Sequence, residues 1–476
     1  MNTVKLANCC LIGATAWTGS AAEKKENQKP NVIIVFNDDM GYQDLSCYGA
    51  PLIKTPRIDQ LSKEGIRFTD FYACSSVSSA SRAALLTGRY PQKVGVGGVF
   101  FPGANNGLKQ EHVTIAEMLK SVGYATAAIG KWHLGDSHEM LPTQQGFDSF
   151  YGIPYSNDMY PSRHTQYAEH CLWRDGYSKD SLSKILAVTE LSKAQPGSLK
   201  DKVPLLQNDE CVEFPVNQTT MTKRFSEEGI KFIQKSVDEK KPFFLYLAHP
   251  MPHVPLFAGP EFVGKSKQGL YGDVIEEIDF YTGRILDKLK ELGVDKNTIV
   301  IFTSDNGPWL EKHEHSGSAL PLYEGKFTSF EGGMRVPCII RWPKQIRAGK
   351  TSSVVNTTID IFPTLAAVTG AKLPDVELDG RNAIDIWKGK KHAKTTQEYF
   401  FYVYDAQAVR WDDWKYHKNQ RFTTSKTVKK INSPALFNLK EDIGETTNLI
   451  EQYPEIAARL AAALDKHLVS IRKKAD

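Results

Sequence analysis

Short apolar runs alternate along the chain with longer segments in which apolar residues recur at helical spacing. The short runs are rich in β-branched and aromatic residues, as buried parallel strands are, and they occupy residues 31–36, 124–129, 243–248 and 298–303. Apolar residues recur every three or four positions between them, which predicts helices over residues 56–64, 114–122, 225–236 and 274–292. This alternation predicts an α/β fold with a large mixed, mostly parallel sheet sandwiched by helices.

The pattern changes in two later parts of the chain. Residues 158–213 contain Tyr, Pro, Ser and Lys but little sustained apolar periodicity, so we expect long loops that shape a substrate pocket. After a helical signal at 359–365, short strand candidates at 397–404, 409–417 and 435–439 precede a closing helix at 454–472. We therefore expect a large domain over residues 23–359 and a smaller C-terminal α+β subdomain over residues 360–476.

The N-terminus has the layout of a secretory signal. Lys5 precedes an apolar stretch, and small residues at 20–22 come before a polar segment, which predicts a cleavable signal peptide over residues 1–22 and a periplasmic or secreted protein. A frayed tail is the plain alternative. A lipoprotein is a third reading, because Leu6-Ala7-Asn8-Cys9 loosely resembles a lipid-attachment box, although no apolar segment precedes Cys9. No later run approaches the ~18 apolar residues of a membrane span, so we expect no transmembrane segment.

Charge and cysteine content exclude several classes of protein. The net charge of +4, from 59 basic and 55 acidic residues, is too balanced to suggest a nucleic-acid partner. The cysteines beyond the signal are odd in number, so they do not form a dense disulfide scaffold. A single disulfide bond between Cys171 and Cys211 remains an alternative.

Polar side chains cluster just after the predicted strands. In open α/β sheets the ligand site lies at the carboxyl edge of the strands, so we expect these side chains to converge there. The residues concerned are Asp38, Asp39, Lys131, His133, His249, His253, Asp305 and Asn306.

Two pairs of oxygen-bearing side chains in this set, with three carboxylates and one amide, suggest a metal. Asp38 and Asp39 follow the first strand, and Asp305 and Asn306 follow a distant one. Oxygen-only ligands favour Ca²⁺ or Mg²⁺ over zinc. Either pair alone is also ordinary turn chemistry, but two pairs at matching strand ends favour metal binding.

Lysine and histidine complete the candidate chemistry. Lys131 and His133 alternate across a tryptophan and can project to the same side of an extended chain, although a surface lysine beside a packed histidine is the plain alternative. Prolines stiffen the loop that carries His249 and His253, and so could fix an imidazole that titrates near working pH. Lys326 supplies a second flexible cation.

The run Ser78-Ser79-Ala80-Ser81-Arg82, followed by Leu86-Thr87-Gly88-Arg89, is the most specific motif in the chain. It resembles the signature of the type I sulfatases of the alkaline phosphatase superfamily. In that family the first residue, Cys or Ser, is oxidised to formylglycine by a maturase that reads the unfolded segment. The plain alternative is a serine-rich loop that opens an ordinary helix.

The resemblance extends over nearly the whole chain after residue 30. An early Asp-Asp, the Ser-x-Ala-x-Arg run, Gly-Lys-Trp-His-Leu-Gly, a late Asp-Asn-Gly and a Gly-Lys before Glu-Gly-Gly occur in family order. It implies that Ca²⁺ is held by Asp38, Asp39, modified Ser78, Asp305 and Asn306. It also implies that Arg82 steadies the formylglycine, that Lys131 and Lys326 contact sulfate, that His133 and Ser156 bind the hydrated aldehyde, and that His253 protonates the leaving alcohol.

Two positions depart from the commonest family pattern. Ala80 stands where many members have Pro, and Ser78 stands where most have Cys. Serine implies an oxygen-sensitive radical maturase resembling those of anaerobic bacteria. Whether this serine is native or replaces a cysteine stays open.

The leading hypothesis is a sulfuric ester hydrolase that removes sulfate from a galactose, N-acetylgalactosamine or glucosamine unit of a host or algal glycan. It rests on the resemblance of residues 152–158 to bacterial glycan sulfatases. Ser156, Asn157, Asp158, His313 and His315 are the candidate substrate contacts. Two alternatives remain: a phosphomonoesterase or phosphodiesterase that uses unmodified Ser78, and a non-catalytic glycan-binding protein that retains the pocket.

Overall fold

The computed structural model describes Met1 and residues 29–188, 199–390, 393, 397–420 and 433–472. Apart from Met1, the predicted signal peptide lies outside these residues. Within them, no helix combines the length and the apolar character needed to cross a bilayer.

An eleven-stranded mixed sheet forms the centre of the described structure. Its five central strands all run parallel, while both flanks include antiparallel neighbours. The predicted fold class is confirmed. Numbered in chain order and given from edge to edge, the strands are β12 (Lys350–Ser352), β2 (Ile66–Phe68), β11 (Cys338–Arg341), β10 (Thr298–Ser304), β1 (Asn31–Asn37), β9 (Phe243–Ala248), β4 (Ala125–Lys131), β5 (Ser149–Ile153), β7 (Leu205–Gln207), β8 (Glu210–Phe214) and β6 (Gln166–Trp173).

Helices cover both faces of this sheet, because alternate residues of each central strand are apolar and buried on opposite sides. The helices are α1 (Pro56–Glu64), α2 (Ser78–Thr87), α3 (Ile115–Lys120), α4 (Lys179–Val188), α5 (Met221–Asp238), α6 (Gly269–Glu291), α7 (Glu331–Met334), α8 (Ile361–Thr369), α9 (Ile384–Trp387) and α10 (Pro454–Arg472). In β1, Ile33 and Val35 pack with α1, α5 and α6, whereas Val32, Ile34 and Phe36 pack with α2, α3 and α8.

The expectation of long loops over residues 158–213 is wrong for much of the described part of that segment. It contains β6, α4, β7 and β8, which extend one flank of the large sheet. The hydrophobic pattern did not predict these strands, because β6 is an edge strand with mostly exposed or half-buried side chains and β7 has only three residues. Cys171 in β6 and Cys211 in β8 are both free thiols.

A small antiparallel sheet forms the C-terminal part of the molecule. The helix that follows residue 360, α8, packs on the large sheet, and the small sheet begins only at Tyr399. The domain boundary at residue 360 stays a prediction. The small sheet has the order β14 (Tyr399–Val403), β15 (Asp405–Trp411), β16 (Trp414–His417) and β17 (Ala435–Asn438), and the two-residue strands β3 (Phe71–Tyr72) and β13 (Asn356–Thr357) pair near it.

His467 of α10 packs against the small sheet. Its ring stacks on Phe400 with centroids 3.8 Å apart and planes 2° apart, and Tyr402 donates its hydroxyl hydrogen to Nε2. Burial lowers the pKa of His467 to about 3. The imidazole is therefore neutral in the folded protein at every pH above that value.

We expect the stability of this docking to fall as pH is lowered from about 6.5. Below that pH the unfolded chain binds a proton at His467 and the folded chain does not. The free energy of unfolding therefore falls by up to about 1.4 kcal/mol per pH unit. Urea unfolding from pH 7 to 5 should show a shallower loss in His467→Gln than in wild type. The exposed His138→Gln should retain the wild-type slope, and an equal slope in His467→Gln would contradict the assignment.

Candidate active site

Three buried carboxylates meet at the carboxyl edge of the central strands. Asp38 and Asp39 follow β1, and Asp305 follows the parallel neighbour β10, whose Ser304 is in register with Asn37. Asp39 adopts a left-handed φ of 62° and donates its backbone N–H to Asp305 Oδ1 at 3.1 Å. One carboxylate oxygen from each residue lies within 4.8 Å of the others. The three carboxylates therefore converge as the sequence predicted.

Asn306 adds an amide oxygen to this cluster. Its Nδ2 donates to Asp39 Oδ1 at 2.7 Å and to the Gly307 carbonyl at 2.9 Å. Its Oδ1 is buried and accepts no hydrogen bond from any described residue. A buried amide oxygen without a donor is costly unless something else binds it. The donor set consists of oxygen alone, as Ca²⁺ and Mg²⁺ prefer.

Ser78 is the first residue of α2, a helix in which every side chain is buried. Ser78 Oγ donates to Asp38 Oδ1 at 2.9 Å, so the serine lies against the carboxylates at the positive end of the helix. Arg82 lies one turn later on the same face, and its Nη2 is 2.9 Å from Asp305 Oδ2 and 3.6 Å from Asp38 Oδ1. The spacing Ser-x-x-x-Arg thus places both residues in one pocket.

Two lysines approach the carboxylates from different elements. Lys131, the last residue of β4, contacts Asp38 Oδ2 with Nζ, which is also 3.4 Å from Ser78 Oγ. Gly130 precedes it with a φ of +106°, and a Cβ there would overlap the carbonyl oxygen of Ala248. Lys326 Nζ donates to Asp39 Oδ2 at 2.8 Å.

The three carboxylates are balanced by Arg82, Lys131 and Lys326, all of them buried. Burial alone would raise the pKa of Asp38, but Lys131, His253 and Arg82 hold it well below its usual value. Asp305 ionises less readily than Asp38, because burial and the adjacent Asp38 raise the pKa of Asp305 to about 7 in spite of Arg82. A further cation in the cluster would relieve this repulsion.

His253 extends from the proline-rich loop after β9 toward the cluster. Nδ1 lies 2.6 Å from the Val254 carbonyl, which can only accept, so the Nδ1 hydrogen is committed there. Nε2 is left as the titrating nitrogen and lies 3.7 Å from Asp39 Oδ2. Burial and Lys326 lower the pKa of His253, against the opposing pull of Asp39. The imidazole can therefore exchange a proton at Nε2 beside the carboxylates.

The chain matches known proteins over the segments that form this site. A family model described as "Sulfatase" matches residues 30–371, and a model described as "N-sulphoglucosamine sulphohydrolase, C-terminal" matches residues 321–474. The chain belongs to the sulfatase family. It is a sulfuric ester hydrolase, as the resemblance implied.

Relatives and solved structures agree with this membership. Arylsulfatase A of Bos taurus is 36% identical over 456 residues, covering 91% of this chain and 86% of that protein. The crystal structure of the PsFucS1 sulfatase from Pseudoalteromonas sp. is 29% identical, with a TM-score of 0.79, over 94% of this chain and 92% of that one. Ps i-CgsB in complex with k-i-k-neocarrahexaose is 30% identical, with a TM-score of 0.75, over 92% of each chain.

His133 and Ser156 are buried beside Lys131, at the carboxylate cluster. His133 has a φ of 62° and its Nε2–H donates to the Phe100 carbonyl at 3.1 Å. Burial, followed by Lys131, lowers the pKa of His133 far below its usual value, so the ring is neutral and buried Nδ1 is an acceptor. Ser156 Oγ lies 3.3 Å from both Lys131 Nζ and His253 Nδ1.

The remaining candidate substrate contacts do not share this position. Asn157 is fully buried and donates from Nδ2 to Gln218 Oε1 at 3.1 Å and to the Pro255 carbonyl at 2.9 Å, so it braces the loop of His253. Asp158 is half-buried and is one of the carboxylates that oppose the lowering of the pKa of His253. His313 and His315 are exposed on a 3₁₀ segment, Leu310–His315. Their contacts with substrate stay predictions.

Sequence reasoning missed two residues beside the pocket. Gln218 makes two hydrogen bonds to Asn157. Its Oε1 accepts from Asn157 Nδ2, and its Nε2 donates to the Asn157 carbonyl at 3.0 Å. Trp309 lies with its ring centroid 5.7 Å from that of His253. The signal for Trp309 was present, because it follows the Asp305-Asn306 pair by only three residues.

We expect Asn157→Asp to destabilise the fold by about 2 kcal/mol or more. The substitution keeps the size of the side chain but places an acceptor against Gln218 Oε1 and the Pro255 carbonyl, which leaves buried acceptors unpaired. Chemical denaturation would measure the loss. Asn105→Asp, at an exposed loop position, serves as the matched control. Equal stability of the two variants would show that the Asn157 contacts do not brace the loop.

Proposed function

We propose that this sulfatase removes sulfate from a sulfated carbohydrate, with a formylglycine formed from Ser78 and with bound Ca²⁺. The observation that carries the proposal is the position of Ser78 Oγ, 2.9 Å from Asp38 Oδ1 and 3.4 Å from Lys131 Nζ. A nucleophile at this point would face a sulfate group whose oxygens are bound by cations. This is the arrangement that the Ser-x-Ala-x-Arg resemblance implies.

The calcium proposal rests on the chemistry of the donor set. Asp38, Asp39 and Asp305 offer carboxylate oxygens, and Asn306 offers the buried Oδ1 that no described residue satisfies. Together with the modified Ser78, these residues would hold the ion. When bound, Ca²⁺ would neutralise sulfate oxygens and help to polarise the nucleophile.

The side chains around the cluster divide the remaining tasks. Lys131 and Lys326 carry the buried ammonium groups that would bind the sulfate oxygens. Arg82, which contacts Asp38 and Asp305, would help to keep Asp38 ionised and would steady the formylglycine at the start of α2. His133 Nδ1 and Ser156 Oγ would orient the hydroxyl groups of the hydrated aldehyde.

His253 is the residue that we assign as the general acid. Its Nδ1 hydrogen is bound by the Val254 carbonyl, so the proton that it can transfer is the one at Nε2. That atom lies on the side of the cluster where Lys326 contacts Asp39. A proton delivered there would go to the oxygen of the departing alcohol, which is the atom that gains charge as the S–O bond breaks.

The carbohydrate assignment is supported by the relatives. Ps i-CgsB is a 30%-identical structure in complex with k-i-k-neocarrahexaose, an oligosaccharide. We propose a sulfated galactose, N-acetylgalactosamine or glucosamine unit as the substrate of this chain. Export to the periplasm or outside the cell would give access to such a glycan, and this follows from the signal predicted over residues 1–22.

Calcium is expected to stabilise the protein through the carboxylate cluster. A ligand present at a thousand times its Kd adds about 4 kcal/mol to the free energy of unfolding. Differential scanning calorimetry should show a higher Tm with Ca²⁺ than with EDTA. Asp305→Asn should lose most of this increment, whereas Asp148→Asn, far from the cluster, should keep it. An identical Tm with and without calcium would exclude the metal.

The nucleophile is tested by mass spectrometry of the Ser78 peptide after expression with an anaerobic serine-type maturase. Oxidation to the aldehyde lowers the mass by about two hydrogens, and Ser78→Ala should abolish sulfate release. Turnover of phosphate esters above sulfate esters by unmodified protein would instead favour the phosphoesterase alternative. Binding of sulfated sugar without sulfate release by confirmed aldehyde-bearing protein would favour the glycan-binding one.

A further inference from the structure

Trp309 is a partly exposed aromatic residue beside His253 and Lys326. Its ring centroid lies 5.7 Å from that of His253 and 4.8 Å from Lys326 Nζ. In the proposed mechanism Lys326 binds the sulfate and His253 protonates the departing oxygen. A group attached to that oxygen would then lie near the indole.

The indole is held in one orientation. Its Nε1–H donates to Glu311 Oε2 at 3.1 Å, and Phe327 packs edge-on with centroids 5.4 Å apart. A fixed aromatic wall presents apolar surface at little cost in conformational entropy, which suits the apolar C–H face of a pyranose ring.

A cation lies over the same indole. Lys312 Nζ is 4.0 Å from the ring centroid, and among the described residues no carboxylate lies within ion-pair distance of it. Lys312 is half-buried, on the 3₁₀ segment Leu310–His315. A lysine held by a ring and without a carboxylate partner can bind an anionic group brought by a ligand.

We propose that Trp309 and Lys312 form a leaving-group subsite, in which the indole contacts the pyranose ring and the ammonium binds a second anionic group on it. The inference rests on the proposed carbohydrate activity and narrows its substrate class. The preferred substrate carries the sulfate that is cleaved and a further sulfate or carboxylate. Trp309 and Lys312 thus determine specificity, while the residues of the carboxylate cluster carry out the chemistry.

Binding to Ser78→Ala protein tests the subsite without any dependence on maturation. The probes are mono- and disulfated galactose, N-acetylgalactosamine and glucosamine, measured by isothermal titration calorimetry. Adding Trp309→Ala should weaken the binding of the best probe about tenfold or more, and Trp309→Phe should recover most of the loss. Adding Lys312→Ala should weaken the disulfated probe about tenfold and leave its monosulfated counterpart within about twofold.

Two substitutions distant from the pocket are the matched controls. Trp411 is half-buried beneath Arg459 in the small sheet. Lys344 is exposed in the segment that follows β11 of the large sheet. Trp411→Ala and Lys344→Ala should leave binding unchanged. In matured enzyme, Trp309→Ala should raise KM for the sugar more than it lowers kcat, since the subsite binds the ground state as well as the transition state.

The outcomes separate this inference from the proposed function. Sulfate release by matured protein, with sugar affinity unaffected by Trp309→Ala, would overturn the subsite and leave the activity intact. Equal losses for mono- and disulfated probes in Lys312→Ala would overturn the second anionic group. Failure of the parent Ser78→Ala protein to bind any of the probes would overturn both the subsite and the carbohydrate assignment.

Discussion

Three carboxylates buried against one another dictate which charged residues the surrounding elements must supply. Two like charges 4 Å apart repel by about 4 kcal/mol at the effective dielectric of a protein near its surface, and by more when buried. Asp38, Asp39 and Asp305 are fixed at strand ends, so they cannot separate to relieve this repulsion. Compensating charge has to be brought to them.

The compensation comes from three separate elements, which ties the fold to the site. Arg82 arrives on α2, Lys131 at the end of β4, and Lys326 on the loop before α7. Each of these cations would itself be unfavourable in the interior without a carboxylate partner. The acidic strand ends and the basic elements therefore stabilise one another. The same cations would be available to bind sulfate in the proposed mechanism.

The small C-terminal sheet supports the carboxylate cluster indirectly, through the segment that carries Lys326. Lys415 in β16 contacts Glu331 Oε1 at 2.8 Å and Glu445 Oε1 at 3.2 Å, and all three side chains are buried. Burial would raise the pKa of Glu331, but Arg335 and Lys415 hold it far below its usual value. Removing one member would leave an unpaired buried charge at a cost of about 3–5 kcal/mol. Since Glu331 begins α7, the network fixes the segment that carries Lys326.

The sequence allowed prediction wherever burial made the pattern regular. The central strands are apolar on both faces, so residues 243–248 and 298–303 were found almost to the residue, and polar residues after them indicated the site. The edge strand β6 was missed because solvent, not the core, meets most of its side chains. The brace from Asn157 to the Pro255 carbonyl joins residues 98 positions apart, and no local pattern encodes it.

The burial of Ser78 bears on when the proposed oxidation could take place. Only 2% of its surface is exposed, and the helix that it begins is enclosed on every side. An enzyme that oxidised Ser78, as proposed, would need access to this side chain, which the folded protein does not give. The packing around α2 would therefore exclude a modification made after folding. Oxidation of Ser78 would therefore have to precede the docking of α2, before Arg82 and the carboxylates close over it.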